Sequence, residues 1–544
     1  MPNEDHEFVT EDQGAVLTAL ADPRAYAALG DGARGESLRR IDTQSAVVFL
    51  VGERAVKLKR AVRFPFLDFG TLERRRAMCA AEIETNRRTA PALYLGVAPI
   101  LADSDASLRL GPVREPGASL GDETRAREWA VVMRRFDEDT LFVRLAERGA
   151  LKPALLVALA AALARFHDGA PVSHVHAGAA DYERSVAADI VQLRARDTVL
   201  DEAATAEIAE RLPAALKPLL PLVQRRQEAG AVRRVHGDLH LRNVCLVDGA
   251  PTLFDAIEFN DRIGTIDVLY DLAFLLMDLD RRGLVAQANF VLNHYLWRSD
   301  GPAAATHLEA LALMPSWLAR RACIRAFVEA AAAELATDSA ARDRRSSEAR
   351  LYQQVALRFV RPAPPALVAI GGLSGSGKTT LGLALAPRFG AAPGAVIVRS
   401  DVERKRLMGL AWDARLPPQG YTPEVTARTY AELLRRARIG LDAGCSVIVD
   451  AVSSRPDERA AIEAVARQAN VPFLGIWLDV PLDVARDRVT TRAGDASDAG
   501  AAVVERQRDY DLGDITWPRI DTGRGTDNVV ANARALLAAV GFGS

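Results

Sequence analysis

The sequence predicts two folded parts of different class: an α+β N-terminal part, in which a small β-rich lobe precedes a helical one, and an α/β C-terminal part with a parallel sheet. Three observations predict this division. Beyond residue 366, short apolar runs at 367–370, 395–398, 446–449 and 473–478, with a weaker one near Ile520, alternate with longer helical stretches. The first part opens instead on a hairpin pattern, 45–51 and 54–59 around Gly52 and Glu53, and carries mostly helical spacing from Pro153 onward. Between the two lies 361–366, where three prolines in four residues cannot continue a helix and favour an extended linker.

Helical patterns near 14–29 and at 74–88 bracket the hairpin, and 128–136 reads as a further strand, so the small lobe spans 1–150. The helical lobe takes 151–360, interrupted by strand-like pieces at 244–247 and 252–254. Its Ala/Leu/Arg-rich tail, 303–359, is expected to pack on the first part as a bundle. The C-terminal part is 367–544.

At 544 residues the chain is too long for one ordinary core. A formal net charge of −2 without runs of like charge argues against a dedicated nucleic-acid binder, and four scattered cysteines give neither a disulfide framework nor a zinc spacing. An acidic N-terminus and the lack of a long apolar stretch argue against a signal peptide and a membrane span, so a cytoplasmic setting is expected.

The C-terminal chemistry starts at 372–379, which reads Gly-Leu-Ser-Gly-Ser-Gly-Lys-Thr between an apolar strand and a helix. This is the P-loop pattern in its required context. Gly372, Ser374, Gly375, Ser376 and Gly377 would turn backbone N–H groups toward a phosphate, and Lys378 would reach the terminal phosphates. Thr379 would ligate magnesium, with Thr380 beside it among the nucleotide contacts. Asp450 ends the strand pattern 447–450, where a second magnesium-organising carboxylate belongs. Asp401 follows the second strand at the carboxyl edge of the sheet, placed to take a proton from an attacking hydroxyl; Arg404, one turn on, would hold an anionic part of the substrate. Arg488 and Arg492 share a helix face ahead of the Gly-containing segment 494–500, which reads as a lid bringing arginines over the transferring group. Together these residues resemble the P-loop kinases that include gluconate kinases, polynucleotide 5'-kinases and zeta toxins, a resemblance that covers about 366–544 and implies ATP-dependent transfer to a hydroxyl.

In the first part, His236-Gly-Asp238 is followed by His240 and Asn243, and Asp255 ends a short strand twelve residues later. Asn243 five residues after Asp238 is the spacing of a kinase catalytic loop: Asp238 would orient and deprotonate the acceptor hydroxyl while Asn243 and Asp255 hold magnesium. These residues resemble the aminoglycoside phosphotransferase and choline kinase families over about 40–300, which implies a bilobal protein-kinase-like fold. The resemblance extends to 255–260 and to Asp267 and Asp271, the latter structural. It makes Lys57 the strand lysine that contacts nucleotide phosphates and Glu82 its partner, with Lys59 and Glu84 as competing candidates. Met133 to Asp137 would form the hinge that meets the base. No Gly-x-Gly-x-x-Gly covers the hairpin, and Ala256 rather than glycine follows Asp255, so small acceptors are expected rather than proteins.

In this order the two parts resemble bacterial proteins labelled bifunctional aminoglycoside phosphotransferase and P-loop ATP-binding protein of the AAA type. The expected activity is transfer of the γ-phosphoryl group of ATP, with Mg2+, to a small-molecule hydroxyl at each of two sites. The alternatives are that one site is a regulatory ATP-binding module, or that the C-terminal part is a polynucleotide 5'-hydroxyl or nucleotide-sugar kinase. An aminoglycoside site would need several carboxylates, for which Glu258, Asp261 and Asp278 to Asp280 are candidates.

Overall fold

In the N-terminal sheet, strands with buried, β-branched residues pair antiparallel and bring Lys57 to its centre. The computed structural model describes residues 9–33, 38–64, 67–104, 106–118, 125–491, 497, 500–523 and 525–542. It divides into two compact units, the first made of 1–162, 169–176 and 233–266 and the second of 163–168, 177–232 and 267–544.

The first unit begins with helix α1 (Gly14–Leu20), shorter than the 14–29 expected because Pro23 restarts the chain as a separate 3-10 stretch, Pro23–Ala33. Its sheet holds β1 (Arg39–Asp42), β2 (Ala46–Val51), β3 (Arg54–Lys59), β4 (Tyr94–Ala102), β5 (Leu108–Leu110) and β6 (Ala126–Arg134). The order is β1-β2-β3-β6-β4-β5, antiparallel throughout, and Lys57 lies between Val48 of β2 and Val131 of β6. Helix α2 (Leu72–Asn86) is capped by the Thr71 side chain, which accepts from Arg74 N–H, and lays Cys79 and Ile83 against Val97, Trp129 and Val131. β4 escaped the sequence reading because Gly96 and Pro99 interrupt its strand signal. The hairpin β7 (Val244–Val247) and β8 (Ala250–Leu253) follows the 236–243 loop.

The second unit contains helices α3 (Ala179–Arg194), α4 (Glu202–Leu216), α5 (Leu220–Glu228), α6 (Val268–Arg281), α7 (Val285–Arg298), α8 (Met314–Glu334) and α9 (Ser339–Phe359). It continues into a β/α domain with strands β9 (Leu367–Gly372), β10 (Val396–Arg399), β11 (Val447–Asp450), β12 (Phe473–Asp479) and β13 (Arg519–Asp521). Their order is β10-β11-β9-β12-β13, all parallel, with both faces of β9 buried. Among its helices are α10 (Lys378–Leu385), α11 (Ser400–Leu407), α12 (Pro423–Asp442), α13 (Pro456–Ala469), α14 (Leu482–Thr491), α15 (Ala501–Gln507) and α16 (Thr526–Ala539). Among the described residues no helix is long and apolar enough to cross a membrane.

The structure gathers 267–360, with 163–168 and 177–232, into one compact unit with the β/α domain. One face of α7 contributes to this. Asn289, Asn293 and Trp297 are four residues apart, and β10 is an edge strand whose outward backbone groups need partners. Asn289 Nδ2 donates to the Ala395 carbonyl at 2.9 Å, Asn293 Oδ1 accepts the Ile397 N–H at 2.7 Å, and Trp297 Nε1 donates to the Ile397 carbonyl at 2.9 Å. The Trp297 ring joins Val368, Ile370, Ile448 and Ile476 in the core. Trp297→Ala is therefore expected to destabilise this unit by about 3–5 kcal/mol, seen as a downshift of several degrees in its calorimetric transition. An unshifted transition would show that α7 is not part of that core.

Candidate active sites

In the first unit the catalytic-loop segment is shaped by its backbone. Gly237 sits at φ 82°, where a Cβ would press on Gly264 and the Ile263 carbonyl at 3.2 Å, so glycine is required between His236 and Asp238. The buried His236 ring meets the Phe254 carbonyl through Nε2 at 2.9 Å, and its own carbonyl accepts the Ile257 N–H at 3.0 Å. These bonds hold the Asp238 loop and the Asp255 loop side by side. Asn243 Nδ2 donates to the Asp238 carbonyl at 3.0 Å and to its carboxylate at 3.2 Å. With the amide nitrogen spent this way, the amide oxygen is what Asn243 retains for a cation. His240 Nε2 lies 3.4 Å from Asp238 Oδ2.

Lys57 joins this loop pair to the sheet. Its Nζ lies 2.8 Å from Glu82 Oε1 and 2.6 Å from Asp255 Oδ1. Between the competing candidates the geometry is clear: Glu82 is buried and meets both lysines, Lys57 reaches the Asp255 carboxylate, and Lys59 reaches Glu82 and Glu258. Burial alone would raise the Glu82 carboxyl, but the two ammonium groups hold it down at about 2. Burial opposes the charge on Lys57 as well, yet Asp255 and Glu82 raise it well above the ordinary lysine range.

The sign of the Glu82 effect gives a test. Its folded value lies below the ordinary 4.5, so the stabilisation is complete above about pH 4.5 and is lost as pH falls toward 2. Urea titrations at several pH values should show wild type more stable than Glu82→Gln by an amount on the order of 3 kcal/mol near neutrality, with the gap closing across that window. A gap independent of pH would contradict the ion-pair assignment.

Three residues around Asp255 carried no sequence signal strong enough to single them out for this role. Asn86 clamps Ala256, accepting its N–H at 2.7 Å and donating to its carbonyl at 3.3 Å; being four residues after Glu82 on the same helix, it was findable by face. The Tyr94 hydroxyl accepts the Asp255 N–H at 3.0 Å from the missed strand β4. Glu258, a candidate for binding a polycationic acceptor, is instead buried against Lys59. Asp271 is fully buried on α6, 3.2 Å from His167 Nε2.

In the second unit the P-loop runs from the end of β9 to α10. Gly375 takes φ 82°, and a Cβ there would lie 2.7 Å from the Ala485 carbonyl, so the loop passes α14 at a distance only glycine allows. Lys378 Nζ donates to the Gly372 and Leu373 carbonyls at 2.8 and 3.0 Å, folding back along the loop. Ser376 Oγ is buried with no hydrogen-bond partner among the described residues. Thr379 Oγ1 donates to Asp450 Oδ2 at 2.5 Å, so the two proposed magnesium oxygens are already adjacent. Burial pushes the Asp450 carboxyl up, against the pull of Arg399 and Lys378.

The acceptor-side residues are placed less simply. Asp401 lies in the first turn of α11, close enough to Asp450 for their charges to interact. Arg404 is buried, and its Nη1 donates to the Gly420 carbonyl and to Thr426 Oγ1, joining α11 to the 418–426 segment. Arg488 donates to the Thr522 carbonyl at 2.8 Å and approaches the Gly375 carbonyl at 3.4 Å, tying the P-loop to the end of β13. Arg492 and most of the 494–500 segment lie outside the described residues. Two contacts were missed: buried Arg399, with Nε 3.5 Å from Asp450 Oδ2, and Gln507, whose side-chain oxygen accepts the Ser374 N–H at 2.7 Å. In a chain so rich in arginine, Arg399 had nothing to set it apart.

Both sites fit a hard divalent cation by donor chemistry, carboxylate, amide and hydroxyl oxygens at each. Among the described residues no cluster of three or more His, Cys, Asp or Glu side chains is found.

The fold and the two arrangements define a kinase built from two phosphate-handling domains. Residues 45–308 match the phosphotransferase enzyme family, and residues 367–511 match an AAA domain family. The chain is 30% identical over 511 residues to the uncharacterized protein Rv2004c of Mycobacterium tuberculosis, covering 90% of this chain and 94% of that protein. It belongs to the family it shares with that protein, and in this chain a phosphotransferase-family match precedes an AAA-domain match. A shorter match, 32% over 118 residues, links it to the adenylyl-sulfate kinase of Myxococcus xanthus, covering 21% of this chain and 60% of that enzyme. Among solved structures, a choline/ethanolamine kinase family protein from Mesorhizobium loti is 14% identical over 64% of this chain and 99% of its own, with TM-score 0.35. A gluconokinase from Sinorhizobium meliloti is 21% identical over 33% of this chain and 94% of its own, with TM-score 0.25.

Proposed function

We propose that both domains transfer the γ-phosphoryl group of ATP, with Mg2+, to hydroxyl groups of small molecules in the cytoplasm. The observation that carries the reading is the placement of Lys57 Nζ between Glu82 and Asp255, at 2.8 and 2.6 Å, in the same unit as the Asp238–Asn243 pair. A cation anchored on a buried carboxylate beside a metal-binding oxygen is what a nucleotide phosphate needs. Asp238 acts as base, Asn243 and Asp255 hold Mg2+, and Lys57 meets the phosphates. In the other domain Lys378 and the P-loop N–H groups take the phosphates, Thr379 and Asp450 hold Mg2+, and Asp401 serves the acceptor hydroxyl. The small lobe of the first domain is assigned to 1–150, the helical lobe to 151–360, the linker to 361–366 and the P-loop domain to 367–544.

The acceptor is to be sought by incubating the full chain with ATP, Mg2+ and a library of hydroxyl-bearing metabolites, reading ADP and product mass together. At least one compound should gain a phosphoryl group in step with ADP release. ADP formation that no compound accelerates, with no phosphorylated product, would sink the reading.

A further inference from the structure

Two lysines, not one, stand behind the N-terminal site, and the inner one is closed off. Lys59 Nζ lies 2.7 Å from Glu82 Oε2 and 2.5 Å from Glu258 Oε1, and the three side chains are 2%, 0% and 6% exposed. Lys57 is 16% exposed and Asp255 46%, so that end of the chain of charges faces solvent. The five groups form a run of alternating sign, Asp255, Lys57, Glu82, Lys59, Glu258, that begins and ends on the same loop three residues apart.

That loop is strained where it matters. Asp255 adopts φ 60°, in the left-handed region. Such a backbone persists only when its surroundings over-determine it. Here Tyr94 holds the Asp255 N–H, Asn86 holds both backbone groups of Ala256, and Lys59 holds the Glu258 side chain.

We propose that Lys59 and Glu258 are a positioning pair for the metal and nucleotide of this site: they anchor the 255–258 loop and neutralise Glu82, so that Lys57 can move onto a phosphate when a divalent cation takes Asp255. The inference rests on the N-terminal nucleotide site proposed above. If Lys57 were the only cation beside Glu82, its departure would strand a buried carboxylate, which is strongly disfavoured. Lys59 stays and keeps Glu82 paired with a cation, which lowers that penalty. Burial raises the Glu258 carboxyl, and Lys59 opposes that shift. A second partner behind a metal ligand also sets where that ligand's oxygen points.

The test is Mn2+ binding in the presence of ADP, followed by electron paramagnetic resonance in the full chain carrying Lys378→Ala to silence the P-loop site. In that background Glu258→Gln and Lys59→Met are expected to weaken Mn2+ binding about tenfold or more, whereas Lys59→Arg, which keeps the charge, should retain most of it. Mn2+ affinity unchanged in Glu258→Gln would overturn the proposal, whatever its melting temperature does, because the pair would then serve stability alone. Should Glu258→Gln not fold, Glu258→Asp decides by the same readout, since it keeps the charge but shortens the reach. Failure of the Lys378→Ala parent itself to bind Mn2+ with ADP would count against the N-terminal nucleotide site, and the proposal would fall with it.

Discussion

Lys378→Ala is expected to lower phosphoryl transfer by the C-terminal domain by about 10²–10³-fold while leaving the N-terminal activity in place. The lysine now donates to the Gly372 and Leu373 carbonyls, contacts a phosphate would replace, and no other lysine lies on the P-loop or on α10 to take over. Only six lysines occur in the whole chain. The side chain contributes little to the core, so the melting temperature should hardly change, which separates a catalytic loss from an unfolding one. With an acceptor for each domain in hand, the measurement is turnover of both in the same preparation. Full C-terminal turnover in Lys378→Ala would remove that domain from the list of kinases, and loss of both activities together would mean that the domains do not act independently.

Sequence reading reached both fold classes and the contiguous motifs, and less of what joins distant segments. The P-loop is legible because its chemistry demands a contiguous run, with glycines at fixed places and a lysine at the end. Asp238, Asn243 and Asp255 are legible for the same reason, lying within eighteen residues. Lys57 and Glu82 come from distant segments, and the choice between Lys57 and Lys59, which share a strand face, needed the fold to settle which one meets Asp255. Arg404 shows the limit: an arginine one turn from an aspartate suggests an anion site, but what its guanidinium meets depends on a backbone carbonyl sixteen residues away. The contacts of Asn289, Asn293 and Trp297 with β10 were hidden because these residues read as an ordinary helix face until the edge of β10 is placed against them.

Asp238→Asn is expected to lower kcat at the N-terminal site by about 10²–10⁴-fold with nucleotide affinity nearly unchanged. The substitution keeps the size of the side chain and an oxygen that Asn243 Nδ2, now 3.2 Å from the Asp238 carboxylate, can still reach. The loop should therefore keep its shape, helped by the bond from Asn243 to the Asp238 backbone carbonyl at 3.0 Å, which the substitution does not touch. The lost property is basicity: an amide oxygen does not take a proton from an acceptor hydroxyl at neutral pH. In the proposed site nucleotide would be held elsewhere, by Lys57 and by a cation on Asn243 and Asp255, so ADP binding measured by calorimetry should stay within a few-fold of wild type. A matching loss of ADP affinity would move Asp238 from base to metal ligand. Unchanged kcat would mean that the proton leaves by another route, and His240, with Nε2 3.4 Å from the carboxylate, is the group to replace next.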